Sequence, residues 1–430
     1  MVSEVTPSHH PIHGVHMADA TIRQVVSAFP GAKLDDIVPL ERGKSYNNRI
    51  YFLTVSKTAP CSLFTDGAET CDLVLKVNGR FFGADKIQNE VGFLRVLQHF
   101  CPTIPTPRAL AWSENGGDMV ISVPVGSEVR ETTLSLDKSD ADHQHGGWIL
   151  MSRVAGTPIA HANMSDEDTK RIMMELADTV AMWRTSIPSQ KYVGSLQFQK
   201  QGEIDAKPDI IIGEPGTPSH LALAVRGILI DGIKISHPIR EPEEYHQIKI
   251  REKMKELQTS DTYTNNRSLV PILEQFMAET LPHLHIVGNT REDKDSSTGR
   301  YVYTHYDISP RNVLVAGSPP HISGIVDFEF SGFYSVLEEF INDYGNNVDD
   351  WKQEHYTAYL ERLEAKGIST PHKSIDTVTW KKAHCMDRML DNIAPWWLPG
   401  DKTGDALDEA LRQAEATVRE NIAALEELIQ

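Results

Sequence analysis

The spacing of apolar positions changes character along this chain, and the change divides it. From about residue 35 the apolar residues fall at every second place. "IVPLERGKSYNNRIYFLTV" reads as strand, turn and strand, with Gly43, Ser45, Asn47 and Asn48 in the turn. "CDLVLKV" is a third strand, with Leu73, Leu75 and Val77 on one face and Lys76 on the other. In "ADKIQNEVGFLRVLQHF" the period lengthens. Ile87, Val91, Leu94 and Leu97 follow at spacings of four, three and three, the stripe of a helix. "CPTIPTPRALAW" is a proline-punctuated link back into strand, and "WILMSRVAGTPI" is a further strand running into an extended connector.

Beyond about residue 154 the strand pattern mostly stops. "SDEDTKRIMMELADTVAMWRTS" opens on a serine cap with acids in its first turn, a helix start. Residues of about 197–300 read as helical in parts and rich in loops. Residues 301–332 return to short β-like runs, and from 335 helices dominate to the end. The expected organisation is a mobile N-terminal segment, 1–30, with a short helix at "DATIRQVVSAF". A β-rich lobe, 31–152, and a helical lobe, 153–430, holding one small β island, follow.

The totals narrow the function classes. With 430 residues the chain is too long for one small core. A net charge of −18 argues against a nucleic-acid partner, whose phosphates would be repelled, and favours a neutral or cationic small substrate. No apolar run has the length of a membrane span. The polar, proline-broken first residues do not read as a secretory leader. Cys61, Cys71, Cys101 and Cys385 show no paired spacing, so neither a zinc ribbon nor a disulfide scaffold is expected. The expectation is a cytoplasmic protein in a reducing compartment.

The chemistry concentrates at "YVYTHYDISPRNVLVAG". Asp307 is followed five positions on by Asn312, and "HISGIVDFEFSG" places Asp327 directly after an apolar run. All three thus stand at the ends of short strands in one β island. Phosphoryl transfer needs such a set, because its transition state is served by position and cations rather than by covalent chemistry. One carboxylate takes the proton of an attacking hydroxyl, while a carboxylate and an amide oxygen hold magnesium, which prefers hard oxygen ligands. The plain alternative is three unrelated polar loop residues, against which stand their order and spacing. Upstream, Glu90 falls between Ile87 and Leu94, beside or within an apolar stripe. A charge there is costly unless paired, and Lys76 is the natural partner. Otherwise Glu90 borders the stripe and reaches solvent.

The pattern H-x-D-x-x-x-x-N followed by D-F-x resembles the eukaryotic-type kinase signature. The versions here look most like the aminoglycoside phosphotransferase and choline kinase superfamily. They share its proline after the catalytic aspartate, in "DISPRN", and its acid two positions after the metal aspartate, in "VDFEFSG". The resemblance implies an α+β, two-lobed protein-kinase-like fold, with a small antiparallel β lobe and a large helical lobe. It implies ATP- and Mg2+-dependent phosphorylation of a hydroxyl on a small molecule. By carry-over, Asp307 is the catalytic base, and Asn312 and Asp327 are magnesium ligands. Lys76, braced by Glu90, holds the nucleotide phosphates. Ser45 and Asn47 belong to a turn that closes over them, and backbone near Met151 to Val154 takes the adenine. Glu338, Glu339 and Asp343 are candidates to hold ammonium groups of the substrate, a solvated helix face being the plainer reading of those acids.

Departures from the family pattern mark open points. "ERGKSYNN" has one glycine, and "GKS" is no Walker A because Val38 stands where the first glycine would fall. Ser309 stands where family members often have a histidine and Arg311 where glycine is common, which leaves open the group that steadies the γ-phosphate. Arg311 reads as outward-facing, and His305 as a brace for the loop. The pair in "APWWLPG" walls a pocket or simply packs. The acceptor could be an aminoglycoside, an amino alcohol, a sugar or a specialised metabolite. Two rivals remain: a protein kinase, disfavoured because no A-P-E element is present, and a catalytically inactive nucleotide-binding or scaffold protein.

Overall fold

A computed structural model describes residues 10–429 apart from 42–43, 65–67, 81, 126–127, 137–146, 200–207, 213–220, 227–236, 287–300 and 342–350. The small lobe is built on seven strands: β1 (Ala32–Pro39), β2 (Asn48–Lys57), β3 (Thr70–Asn78), β4 (Ala109–Ser113), β5 (Asp118–Val125), β6 (Glu128–Ser135) and β7 (Trp148–Ser152). They form one antiparallel sheet in the order β1-β2-β3-β7-β4-β5-β6. Side chains alternate across it, as a strand's twofold period demands. Leu73, Leu75, Val77, Trp148 and Leu150 are buried on one face, against Ile22, Val25 and Val26 of α1 (Asp19–Ser27). Ile149 and Met151 point the other way, into a second core with Ile87, Val91 and Leu94 of α2 (Ala84–Phe100).

The expected mobile segment needs correction. From residue 10 onward it is packed, with Met17, Ile22 and Val25 at 0% exposure. Without these side chains the outer face of the sheet would lie open to water, which is the physical reason for their order.

The large lobe begins at β8 (Thr157–Pro158) and α3 (Asp166–Ser186), whose Ser165 cap accepts from the Asp168 amide at 3.1 Å. A small sheet of β9 (Leu196–Phe198), β10 (Ile210–Ile212) and β11 (Leu221–Val225) precedes α4 (Pro242–Thr259) and α5 (Leu269–Gln275). The β island follows. In it β12 (Val302–Thr304) pairs with β15 (Gly332–Tyr334), and β13 (Val313–Ala316) pairs with β14 (His321–Ile325) and β8. Then come α6 (Glu338–Phe340), α7 (Gln353–Ala365), α8 (Thr377–Ile393), α9 (Leu398–Asp401) and α10 (Gly404–Glu427). Among the described residues no helix is long and apolar enough to cross a membrane.

Helix α2 joins the lobes. Its apolar stripe faces the sheet, while Gly92 lets β9 come close on the other side. A Cβ there would lie 3.3 Å from the Cβ of Leu196. The Asn89 amide donates to the carbonyls of Glu329 and Ser331, at 3.0 and 2.9 Å, and its oxygen accepts from the Leu196 amide at 2.7 Å. A second link crosses the mouth of the cleft, where the Tyr46 ring meets Trp396 at 4.8 Å on one side and His10 at 4.2 Å on the other, tilted against both. Trp396 of "APWWLPG" is 55% exposed and supplies a surface contact, while Ala394 of the same stretch belongs to the core.

Candidate active site

The loop from His305 to Asn312 lies between β12 and β13. His305 is fully buried, with its ring stacked on Trp183. Its Nε2 lies 3.1 Å from the Val326 carbonyl, and its Nδ1 lies 3.3 Å from the Asp307 amide that donates to it. That pairing fixes the tautomer, with the proton on Nε2. Burial pushes the imidazole down to about 4, so it is neutral. His305 thus braces the loop, which is what its position suggested. Tyr306 takes a positive φ of 75°, which turns the chain so that Asp307 enters the cleft. The Asn312 amide nitrogen donates to the Asp307 carbonyl and Oδ2, at 2.9 and 3.0 Å, drawing the two ends of the loop together. Its backbone carbonyl accepts from the Val326 amide at 3.0 Å, tying the loop to the strand that leads into Asp327.

Asp327 also has a positive φ, 69°, a conformation uncommon for any residue but glycine. It swings the carboxylate out of the β island, a third exposed, toward Lys76 at 2.6 Å. Lys76 is buried and bonded to Glu90 at 2.8 Å. The pairing expected from the strand and helix patterns is therefore present. Burial works against the Lys76 charge, and Asp327, Glu329 and Glu90 more than offset it, holding the ammonium well above the usual lysine range. Burial pushes the Glu90 carboxyl up to about 7, with Lys76 pulling against it. Burial, and then the nearby charge of Asp327, push Asp307 up to about 6.

Asp307, raised in part by the charge of Asp327, faces a second carboxylate, and such a pair is a natural place for a cation. Asp327, Asn312 and Asp307 offer only hard oxygen donors on one side of the cleft, a set that suits magnesium. The residues present therefore fit the metal that the sequence implied.

The other expected positions fall unevenly. Asn47 and Asn48 lie at the start of β2, over the cleft, and Ser45 is half-buried in the same turn. Glu338 lines a cavity beside Tyr306. Glu339 does not. It is 1% exposed and lies 3.6 Å from Arg184 of α3, underneath Thr304 and His305. The expectation that Glu339 meets substrate is corrected accordingly, since the turn of α6 aims neighbouring acids in different directions. Asp343 and the rest of 342–350 lie outside the described residues. Ser309 is 4% exposed and turned inward, whereas Arg311 is exposed.

Two groups of residues escaped the sequence reading. The first is Lys86 and Glu329, buried next to Lys76. Glu329 stood out only as a family marker, and Lys86 resembled any lysine in a first helical turn. The second lines the cavity: Tyr245, His246 and Lys249 of α4 with Met386 and Asp387 of α8. The Lys249 ammonium donates to the hydroxyls of Tyr245 and Tyr306, at 3.3 and 3.4 Å. Burial works against that charge, and Tyr306, Glu338, Asp387 and Asp391 hold it above the usual lysine range. Residues three and four apart at 242, 245, 246 and 249 share one helix face, which was the available signal.

Comparison with known proteins agrees with this geometry. Residues 41–373 match the model of the phosphotransferase enzyme family. The chain belongs to that family. It is thereby an enzyme, an ATP-dependent kinase of small molecules. None of the curated proteins matches it. Among solved structures, the gentamicin complex of APH(2'')-IIa shares the fold, with a TM-score of 0.50 at 11% identity, over 94% of this chain and 97% of that one. The ADP-bound aminoglycoside phosphotransferase APH(2'')-Ib does so too, with a TM-score of 0.50 at 12% identity, over 94% and 99%. The two-lobed kinase-like architecture is therefore that of this phosphotransferase.

Proposed function

We propose that this phosphotransferase moves the γ-phosphoryl group of ATP to a hydroxyl of a small molecule, in the cleft between its lobes. Asp307 accepts the hydroxyl proton. Lys76, held by Glu90, binds the α- and β-phosphates, and the turn containing Ser45, Asn47 and Asn48 lies over them. Asn312 and Asp327 hold magnesium, which when bound neutralises charge on the transferred group. The observation that carries the reading is the meeting of Lys76, Glu90 and Asp327 at 2.6–2.8 Å beside the Asp307–Asn312 pair. Those five side chains come from two lobes and would have no reason to converge in a scaffold. The four cysteines, all free thiols, suit a cytoplasmic site of action.

The acceptor is taken up on the Tyr306 side of the large lobe, next to the small cavity between α4 and α8. Its acids, Glu338 and Asp387, already have the ammonium of Lys249 among them. A polycation would have to compete with that internal charge. A hydroxylated compound with at most one cationic group is therefore favoured.

The test is thermal unfolding with ATP and magnesium, beside the Asp327→Asn variant. A ligand at about 100 times its dissociation constant stabilises the folded state by roughly 2.7 kcal/mol. The wild type should gain a shift that needs magnesium, and the variant should lose most of it. No shift in the wild type at millimolar ATP would refute the reading.

A further inference from the structure

Glu329 is the most densely engaged side chain of the cleft. It belongs to the large lobe, yet four side-chain groups of the small lobe meet its carboxylate. Lys76 of β3 lies 2.6 Å from Oε2, Lys86 of α2 3.0 Å and the Asn48 amide 2.6 Å. The Asn47 amide reaches Oε1 at 3.1 Å. Three of the donors crowd Oε2 and the fourth meets Oε1, so both oxygens of the carboxylate are engaged. Glu329 is 2% exposed, whereas Asp327, two residues earlier on the same loop, is a third open to the cleft. A metal or a phosphate can therefore approach Asp327 and cannot approach Glu329 without displacing these partners.

The partner that needs Glu329 most is Lys86. Its side chain is wholly buried, and besides Glu329 it has the Asn48 oxygen at 2.9 Å and the faces of Phe82 and Phe330 at 4.5 and 5.7 Å. Glu329 is the one carboxylate in ion-pair contact with it among the described residues. Lys76, by contrast, has Glu90 and Asp327 as well. An uncompensated ammonium in such a place is very costly. The Lys86–Glu329 pair therefore joins the lobes, and through Asn48 it grips the start of β2, where the turn over the cleft ends.

We propose that Glu329 and Lys86 form an interlobe latch: positioning residues that hold the Asn47–Asn48 turn and Lys76 in place for the nucleotide phosphates, with Glu329 not serving as a metal ligand. The proposal rests on the nucleotide-binding reading above. It gives the acid two positions after Asp327 a task different from that of Asp327.

ADP is the probe, so the identity of the acceptor does not matter. Its affinity is measured at saturating magnesium, and the magnesium midpoint at fixed ADP, for wild type, Glu329→Gln, Lys86→Met and the double variant. Each single change should weaken ADP binding about tenfold, and the double variant should be no weaker than the worse single one, as coupled residues behave. The magnesium midpoint should stay where it is. Should Glu329→Gln fail to fold, Lys86→Met and Asn48→Ala read the same latch from the small lobe. A raised magnesium midpoint with unchanged ADP affinity would make Glu329 a metal ligand and overturn the latch. So would independent, additive losses, or variants that unfold at lower temperature yet bind ADP as the wild type does. A wild type that binds no ADP would instead remove the nucleotide site itself.

Discussion

His246 and His305 are enclosed imidazoles, pushed by burial down to about 3 and about 4. The unfolded chain binds a proton at each near pH 6.5, where the folded one does not, so each costs stability as the pH falls. Several buried carboxyls act the other way. Glu90 and Asp307, raised to about 7 and about 6, take up protons in the folded state first and gain stability on acidification. These opposed contributions flatten the total profile, so the signature lies in a difference. His246→Gln removes one of them. Between pH 6 and pH 4 the stability gap between wild type and variant should narrow by about 1.4 kcal/mol per unit, measured by urea unfolding at a series of pH values. A constant gap would mean that His246 is charged in the folded protein.

At the scale of elements, α2 shows what a pattern reveals and what it hides. Its apolar stripe, Ile87 to Leu97, was legible because it repeats locally, and the sheet-facing core lies where the stripe predicted. The opposite face was not. Lys86, Gln88 and Asn89 are all buried, although their residue types usually mark a solvated surface. Only the arrival of the large lobe covers them, and nothing in a local period announces that. The hairpin β5–β6 was missed for a related reason. Pro124 and the polar run after it break the look of a strand, and the pairing of residues 118–125 with 128–135 restores it. The three-residue strands β9 and β10 are likewise products of long-range pairing. Asn89 tests the covered face directly. Asn89→Ala would leave the Leu196 amide and the Glu329 and Ser331 carbonyls without their side-chain partner, and should cost about 1–3 kcal/mol in urea unfolding. A loss below 0.5 kcal/mol, the ordinary range for surface changes, would show that α2 is not anchored there.

For the whole molecule, the residues that could be read were those whose chemistry is written at short range. Asp307, Asn312 and Asp327 sit within one stretch of the chain, and Lys76 and Glu90 within another. Glu329 could not be read, since its asparagine partners are 282 and 281 positions away and only the closed fold brings them together. The same closure places Trp396 against Tyr46 at the cleft mouth. Of the seven tryptophans it is the exposed one, the others being buried or half-buried. The chain thus carries its own optical gauge of how far the cleft stands open. A collisional quencher in the solvent should extinguish Trp396 emission first. Any change in that quenching when ADP binds should vanish in Trp396→Phe, while a response that persists would come from a tryptophan deeper in the protein.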